Sequence, residues 1–234
     1  DGAEIFNRRN AMGIDINRDF HHQQSPEGRL LRALRDEINP HFGFNLHDQN
    51  TGWSAGSTGN PATISLLAPA YDKDLNINEV RSYAMKVISR MNAALQESIP
   101  DHVGRFDDEH EPRAFGDNFQ AAGTSTILIE AGGYHNDREK QFIRKMFFKA
   151  MFSGLQSIAE QSYLKADISD YFAIPENKKF HFDILLRNCR LERNGISFLQ
   201  DIGLRLEQKV NNDYRTMTYT YLIDDLGDLS HCFA

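Results

Sequence analysis

Two polar residues stand at the ends of predicted strands, where side chains of α/β proteins often do chemistry. His47 ends an alternating apolar segment that begins at Phe42, and Glu130 directly follows the apolar run 127–129. In open α/β sheets, ligands bind at the carboxyl ends of strands. A carboxylate in such a position is partly desolvated, which raises its pKa and suits it to proton transfer. Taken singly, each residue could equally mark a strand end that faces solvent.

A basic segment near the start of the chain has residue types suited to binding a carboxylate. Residues 8–10 are Arg-Arg-Asn, and residues 13–20 are Gly-Ile-Asp-Ile-Asn-Arg-Asp-Phe. The guanidinium of Arg18 can hold a carboxylate through two parallel hydrogen bonds, and Asn17 beside it can add a donor. A turn that carries surface charges would use the same residue types.

The elements that must position these residues alternate between helix and strand. Ser25 and Pro26 predict the start of a helix, with Ser as the N-cap and Pro at the first helical position. Longer helices are predicted over 78–98 and 137–163, separated from each other by a charged loop over 99–122. The predicted strands are 13–16, 42–47, 62–68 and 124–130. This alternation predicts an α/β fold, a three-layer α/β/α sandwich with a mixed, mostly parallel sheet.

The pattern changes after residue 165, which divides the chain into two predicted domains. Residues 1–165 carry the features above and form the predicted catalytic domain. For residues 166–234 the pattern predicts a small β-rich C-terminal module, which has no motif that indicates its role. Its short predicted strands, joined by Asn, Gly and Asp turns, are 180–186, 196–206 and 214–223.

Composition limits the classes of protein that this chain can represent. Hydrophobic residues make up 40% of its 234 residues and charged residues 25%, which suits a globular protein with a real core. No apolar run approaches the roughly 20 residues of a membrane-spanning helix, so no membrane partner is predicted. The formal charge of −7, without an extended basic stripe, argues against nucleic-acid binding. Cys189 and Cys232 are too few for a disulfide framework and favour a reducing compartment such as the cytoplasm.

Together these features resemble the zinc carboxypeptidase family, the carboxypeptidase A-like metallopeptidases. Residues 13–20 are similar to that family's Gly-Val-Asp-Leu-Asn-Arg-Asn-Phe segment, and residues 8–10 are similar to the Arg-Lys-Asn that precedes it. Residues 45–47 resemble the strand that carries the third zinc ligand, and residues 126–132 resemble the strand that carries the catalytic Glu. The order and spacing of these segments agree across about residues 1–163.

The resemblance implies a role for each matching residue. His47 would bind zinc through an imidazole nitrogen, and the zinc would lower the pKa of its bound water. Glu130 would take a proton from that water and pass it to the leaving amine. Arg18, helped by Asn17, would hold the C-terminal carboxylate of the substrate. Arg8 would stabilise the oxyanion of the tetrahedral intermediate.

Two parts of the family pattern have no match in these residues. The family's other two zinc ligands lie in an upstream His-x-x-Glu motif, and none of the nine His residues here has Glu three positions later. We expect this chain to be a fragment, with the two remaining ligands of one zinc per chain upstream of Asp1; the alternative is a relative that has lost its metal. The family's mobile active-site Tyr also has no match between Arg90 and Gly133. A one-residue shift of the alignment would exchange Arg8 and Arg9.

The resemblance predicts a metallocarboxypeptidase, which hydrolyses the C-terminal peptide or amide bond of a peptide or an amino-acid derivative. Arg113, which precedes the catalytic strand, could select an acidic C-terminal residue, although an exposed loop Arg is the simpler interpretation. One alternative is an N-acyl amino acid amidohydrolase of the same superfamily. Another is a metal-free relative that binds a carboxylate through Arg18.

Overall fold

The computed structural model of the chain describes residues 2–213 and 215–234. Asp1, in the predicted catalytic domain, and Tyr214, in the predicted strand over 214–223, lie outside the described residues. The helices are α1 (Pro26–Ile38), α2 (Glu79–Gln96), α3 (Phe115–Ala121), α4 (Gln141–Ala159) and α5 (Ile168–Phe172). The strands are β1 (Phe42–Asp48), β2 (Ser54–Ala55), β3 (Ile64–Leu67), β4 (Val103–Arg105), β5 (Ser125–Ala131), β6 (Asn177–Lys178), β7 (Ile184–Arg193), β8 (Ile196–Val210) and β9 (Met217–Gly227).

The main sheet has the strand order β1-β5-β3-β4. β1 is parallel to β5 and β3 is parallel to β4, whereas β3 runs antiparallel to β5. The sheet is therefore mixed and mostly parallel, and helices flank it, which confirms the predicted fold class. The carboxyl ends of β1 and β5 lie at the same edge of the sheet, where His47 pairs in register with Glu130.

The core lies between one face of the sheet and helices α2, α4 and α5. Ile127 and Ile129 of β5 point into this core, because side chains alternate along a strand. Thr126 and Glu130 of β5 point to the opposite face. There, α3 comes so close that a Cβ on Gly116 would meet Asn45 and Thr126. Glu130 thus projects away from the main core and toward the face that carries the predicted site.

The predicted start of the first helix is confirmed in detail. The Ser25 hydroxyl accepts a hydrogen bond from the backbone N–H of Gly28 at 3.0 Å and donates one to Asp19 at 2.7 Å, while Pro26 is the first helical residue. An N-cap of this kind satisfies one of the free N–H groups at a helix start. Because Asp19 directly follows Arg18, the cap also fixes the end of the Asn-Arg segment.

Three predictions about local structure were wrong. Residues 13–16 are not a strand, because Gly13 has a φ of 74° and Asp15 caps a 3₁₀ turn over Ile16–Arg18. The predicted loop over 99–122 contains β4 and α3, which are too short to show a clear periodicity. The helix predicted from residue 137 begins at Gln141, because the Asp137 side chain accepts hydrogen bonds from backbone N–H groups of the first turn.

The C-terminal strands form a separate module. β7, β8 and β9 make an antiparallel sheet, and Phe182 packs with Leu229 and Cys232 in a second small core. The segment before this module packs with the first domain, because Tyr171 and Ile174 lie in the main core and β6 pairs with β2. The antiparallel sheet itself begins at Ile184, and the domain boundary near residue 165 stays a prediction. None of the helices in the described part of the chain combines the length and apolar character needed to cross a bilayer.

Candidate active site

His47 and Glu130 form the centre of the candidate site. They are paired residues on adjacent parallel strands, so their side chains point to the same face of the sheet. Glu130 is only 6% exposed. The Nε2 atom of His47 and the Oε2 atom of Glu130 are both buried and find no hydrogen-bond partner among the described residues. Since buried polar atoms are nearly always paired, two unpartnered atoms on neighbouring residues make this position a candidate for ligand binding.

Burial changes the acidity of the Glu130 carboxyl group. Desolvation raises its pKa from 4.5 to about 7, and the negative charge of Asp48 adds to the rise while Lys140 opposes it. A carboxyl group with a pKa near neutrality exists in both protonation states at physiological pH. A pKa in this range is compatible with proton transfer by Glu130, and its role as general base and acid stays a prediction.

Two guanidinium groups act on His47. Its pKa is lowered first by burial and then by the positive charges of Arg8 and Arg18, against the opposing charge of Asp15. The imidazole of His47 is therefore neutral near pH 7, which is the form that binds metal ions and accepts protons. Arg8 and Arg18 are therefore near enough to His47 for their charges to act on it, while Glu130 is its neighbour in the sheet.

The Asn-Arg segment is held in shape by its own polar groups. Asp15 accepts a hydrogen bond from the Arg8 Nε atom at 2.7 Å and another from the backbone N–H of Asn17 at 3.1 Å. The Asn17 side-chain oxygen accepts from the backbone N–H of Phe115 at 3.0 Å, which ties the segment to α3. The amide nitrogen of Asn17 is thereby oriented as the donor, next to Arg18.

Arg18 and Arg113 share one carboxylate, that of Glu111. The Arg18 Nε atom lies 2.9 Å from Glu111 Oε2, and Arg113 donates from Nε at 2.9 Å and from Nη2 at 2.8 Å. The pKa of Glu111 falls from 4.5 to about 2. The hydrogen bonds from Arg113 make the largest contribution to this fall, and the positive charge of Arg18 adds to it. Arg113 is exposed, yet Glu111 links it to Arg18, so both predicted substrate-binding arginines lie in one cluster. Glu111 was not among the predicted site residues, because its contact with Arg18 joins segments that lie far apart in the sequence.

A buried polar network lies beside Glu130 on the same face of the sheet. Ser65, the β3 residue paired with Glu130, accepts hydrogen bonds from Gln49 at 2.8 Å and from Asn177 at 2.9 Å. Asn177 also donates to the Gln49 side-chain oxygen at 3.1 Å, and its own oxygen fills the space where Gly104 lacks a Cβ. The network fixes the strand next to Glu130. It could not be predicted, because its members lie far apart in the sequence.

The described residues do not form a complete zinc site. The buried, neutral and unpartnered Nε2 atom of His47 has the chemistry of a zinc ligand. Across residues 2–213 and 215–234, however, no three His, Cys, Asp or Glu side chains are grouped so that they could hold a metal ion. A catalytic zinc site takes three protein ligands, so these residues do not fit the ion by themselves.

Comparison of the chain with protein-family models, with curated proteins and with solved structures gave no match. The resemblance to zinc carboxypeptidases therefore remains a prediction from the residues quoted above. The fold class, in contrast, rests on the strand pairing itself.

Proposed function

We propose that this chain forms the proton-transfer and carboxylate-binding part of a hydrolase of the carboxypeptidase type, which cleaves a C-terminal peptide or amide bond. The observation that carries the proposal is the buried, unpartnered pair of His47 Nε2 and Glu130 Oε2, with Arg8 and Arg18 close enough to lower the pKa of His47. A carboxyl group with a pKa near neutrality is suited to proton transfer in amide hydrolysis. The guanidinium groups of Arg8 and Arg18, whose charges act on His47, are suited to bind an oxyanion and a substrate carboxylate.

Substrate recognition is assigned to Arg18 and Asn17. The C-terminal carboxylate of the substrate would bind the Arg18 guanidinium and the Asn17 amide nitrogen, in place of the Glu111 carboxylate that Arg18 contacts at 2.9 Å. The exchange replaces one carboxylate by another, so Arg18 keeps a negative partner throughout. The partly exposed ion pair with Glu111 is weak enough to be replaced.

Glu130 and Arg8 are assigned to the chemical step. Ionised Glu130 takes a proton from the attacking water and, in the protonated form, gives it to the leaving nitrogen. Proton transfer of this kind typically contributes about 10²–10⁴-fold to the rate. Arg8, which Asp15 holds at 2.7 Å, is the positive group available to stabilise the oxyanion.

Dependence on zinc is a separate part of the proposal. His47 would supply one ligand, and the family resemblance predicts a His and a Glu as the other two. Elemental analysis of the protein as the cell makes it tests this part. One zinc per chain is expected, and a metal-free but active enzyme would contradict it.

Hydrolysis of matched substrates tests the reaction. The protein should release the last residue of peptides with a free C-terminal carboxylate and leave peptides with a C-terminal amide intact. Cleavage of N-acyl amino acids without cleavage of longer peptides would instead favour the deacylase alternative. Equal cleavage of free and amidated peptides would contradict the role of Arg18.

A further inference from the structure

We propose that the cavity beside Arg18 binds a ligand with two carboxylates, so that the preferred substrate ends in Asp or Glu. This inference rests on the proposed function, since it names the substrate class of the same site. The cavity has a volume of about 490 Å³ and is lined by three arginines, Arg9, Arg18 and Arg113, among other residues. Its volume is within the range of small-molecule sites.

The carboxylates in the cavity wall are already committed to other partners. Asp19 accepts hydrogen bonds from the backbone N–H and the hydroxyl of Ser25, each at 2.7 Å, and from the backbone N–H of Gln24 at 2.9 Å. Asp15 is bonded to Arg8 and to the backbone of Asn17. Both carboxylates are held in place by these bonds, and the three arginines against the two aspartates leave the cavity lining with a formal charge of +1.

The Glu111 carboxylate marks where an anion binds. It bridges Arg18 and Arg113 through three contacts of 2.8–2.9 Å, which shows that both guanidinium groups reach the same anionic group. Its pKa of about 2 means that it is ionised at neutral pH. A ligand that neutralises Arg18 with its α-carboxylate displaces Glu111 from that contact. Arg113 keeps its bonds to Glu111 through Nε and Nη2, so its Nη1 group and Arg9 are the donors we assign to a second carboxylate on the ligand's side chain.

Direct binding of two matched ligands tests this inference without any hydrolysis. N-acetylglutamate has two carboxylates, and N-acetylglutamine has one and is otherwise nearly the same in size. Isothermal titration calorimetry on the chain should give about tenfold tighter binding of N-acetylglutamate, the effect of one charge-assisted hydrogen bond. Equal affinity of the two ligands, or no binding of either, would overturn the inference.

Two variants separate the contributions of the cluster. Arg113→Gln should remove most of the preference for N-acetylglutamate while it leaves the binding of N-acetylglutamine nearly unchanged. Glu111→Gln should tighten the binding of both ligands, because it removes the internal competitor. Arg190→Gln, the same change of charge at an exposed site in the β module, serves as the control and should change neither affinity.

The outcomes for this inference and for the proposed reaction are distinguishable. If the preference survives Arg113→Gln, or if Glu111→Gln weakens binding, the two-carboxylate site is wrong while the proposed hydrolysis stands. If the protein binds N-acetylglutamate as expected but hydrolyses no peptide, the site stands and the reaction is wrong.

Discussion

His47 and Glu130 lie opposite each other on two parallel strands, and each presents a buried polar atom that no group in the described part of the chain bonds. A buried polar atom without a partner costs about 1–3 kcal/mol. Two such atoms at one strand edge are therefore a cost that no hydrogen bond from the described residues offsets. The arrangement is explained if a substrate, a water molecule or an ion completes it, as the proposed function requires.

Replacement of Arg18 tests recognition of the substrate carboxylate. Arg18→Gln should raise the KM for peptides with a free C-terminus about 10–100-fold, the effect of losing a hydrogen bond to a charged group. Steady-state kinetics check the change, with Arg144→Gln on the exposed surface of α4 as a control of equal charge. Stability should change by less than about 1 kcal/mol, because the Arg18–Glu111 pair is partly exposed. An unchanged KM would reject the assignment.

The pKa of Glu130 predicts a pH dependence of stability. The folded-state pKa of about 7 lies above the ordinary 4.5, so the folded state binds this proton more tightly than the unfolded state does. The stabilisation is therefore complete below about pH 4.5 and is lost as the pH rises through 7, by about 3 kcal/mol in total. Glu130→Gln removes this contribution.

Urea unfolding of the wild type and of Glu130→Gln at several pH values measures that contribution. The wild type should lose stability relative to the variant as the pH rises from 4.5 through 7. Glu139→Gln, at an exposed position in the loop after β5, should show no such trend relative to the wild type. A difference between wild type and Glu130→Gln that stays constant with pH would mean that Glu130 is not buried as described.

Replacement of Asn177 tests whether the segment before the β module stabilises the first domain by packing against it. Asn177→Ala removes the partner of Gln49 and Ser65, which are buried, and should lower the free energy of unfolding by about 1–3 kcal/mol. Lys178→Ala, at the next and exposed position, is the matched control and should cost far less. If both variants are equally stable, the network does not contribute to the fold.

Much of the fold could be predicted because local signals agreed with the tertiary structure. Ser25 and Pro26 predicted the start of α1, and the Asn78 side chain caps α2 where the periodic apolar pattern begins. The apolar run before Glu130 predicted a buried strand, and β5 is buried up to Glu130. In each case a short stretch of sequence carries the physical cause of the element.

The predictions that differ from the structure also have physical explanations. Residues 13–16 alternate like a strand, but Asp15 is bonded to the backbone of Asn17 and turns the chain instead. α1 has the predicted helical spacing, yet Leu30 and Ile38 are 61% and 67% exposed, which the spacing alone does not foretell.

Some residues of the candidate site could be predicted from the sequence, and others could not. His47 and Glu130 could be found from strand ends, and Arg18 from a short motif. Glu111 and Asn177 could not, since their roles arise from contacts between segments that are distant in the sequence.

The most direct test of the central claim is the turnover of Glu130→Gln on a peptide with a free C-terminal carboxylate. If Glu130 transfers the proton, kcat should fall by about 10²–10⁴-fold while binding of N-acetylglutamate stays as in the wild type. Glu139→Gln should keep wild-type turnover. A Glu130→Gln enzyme that retains wild-type turnover would contradict the proposed mechanism.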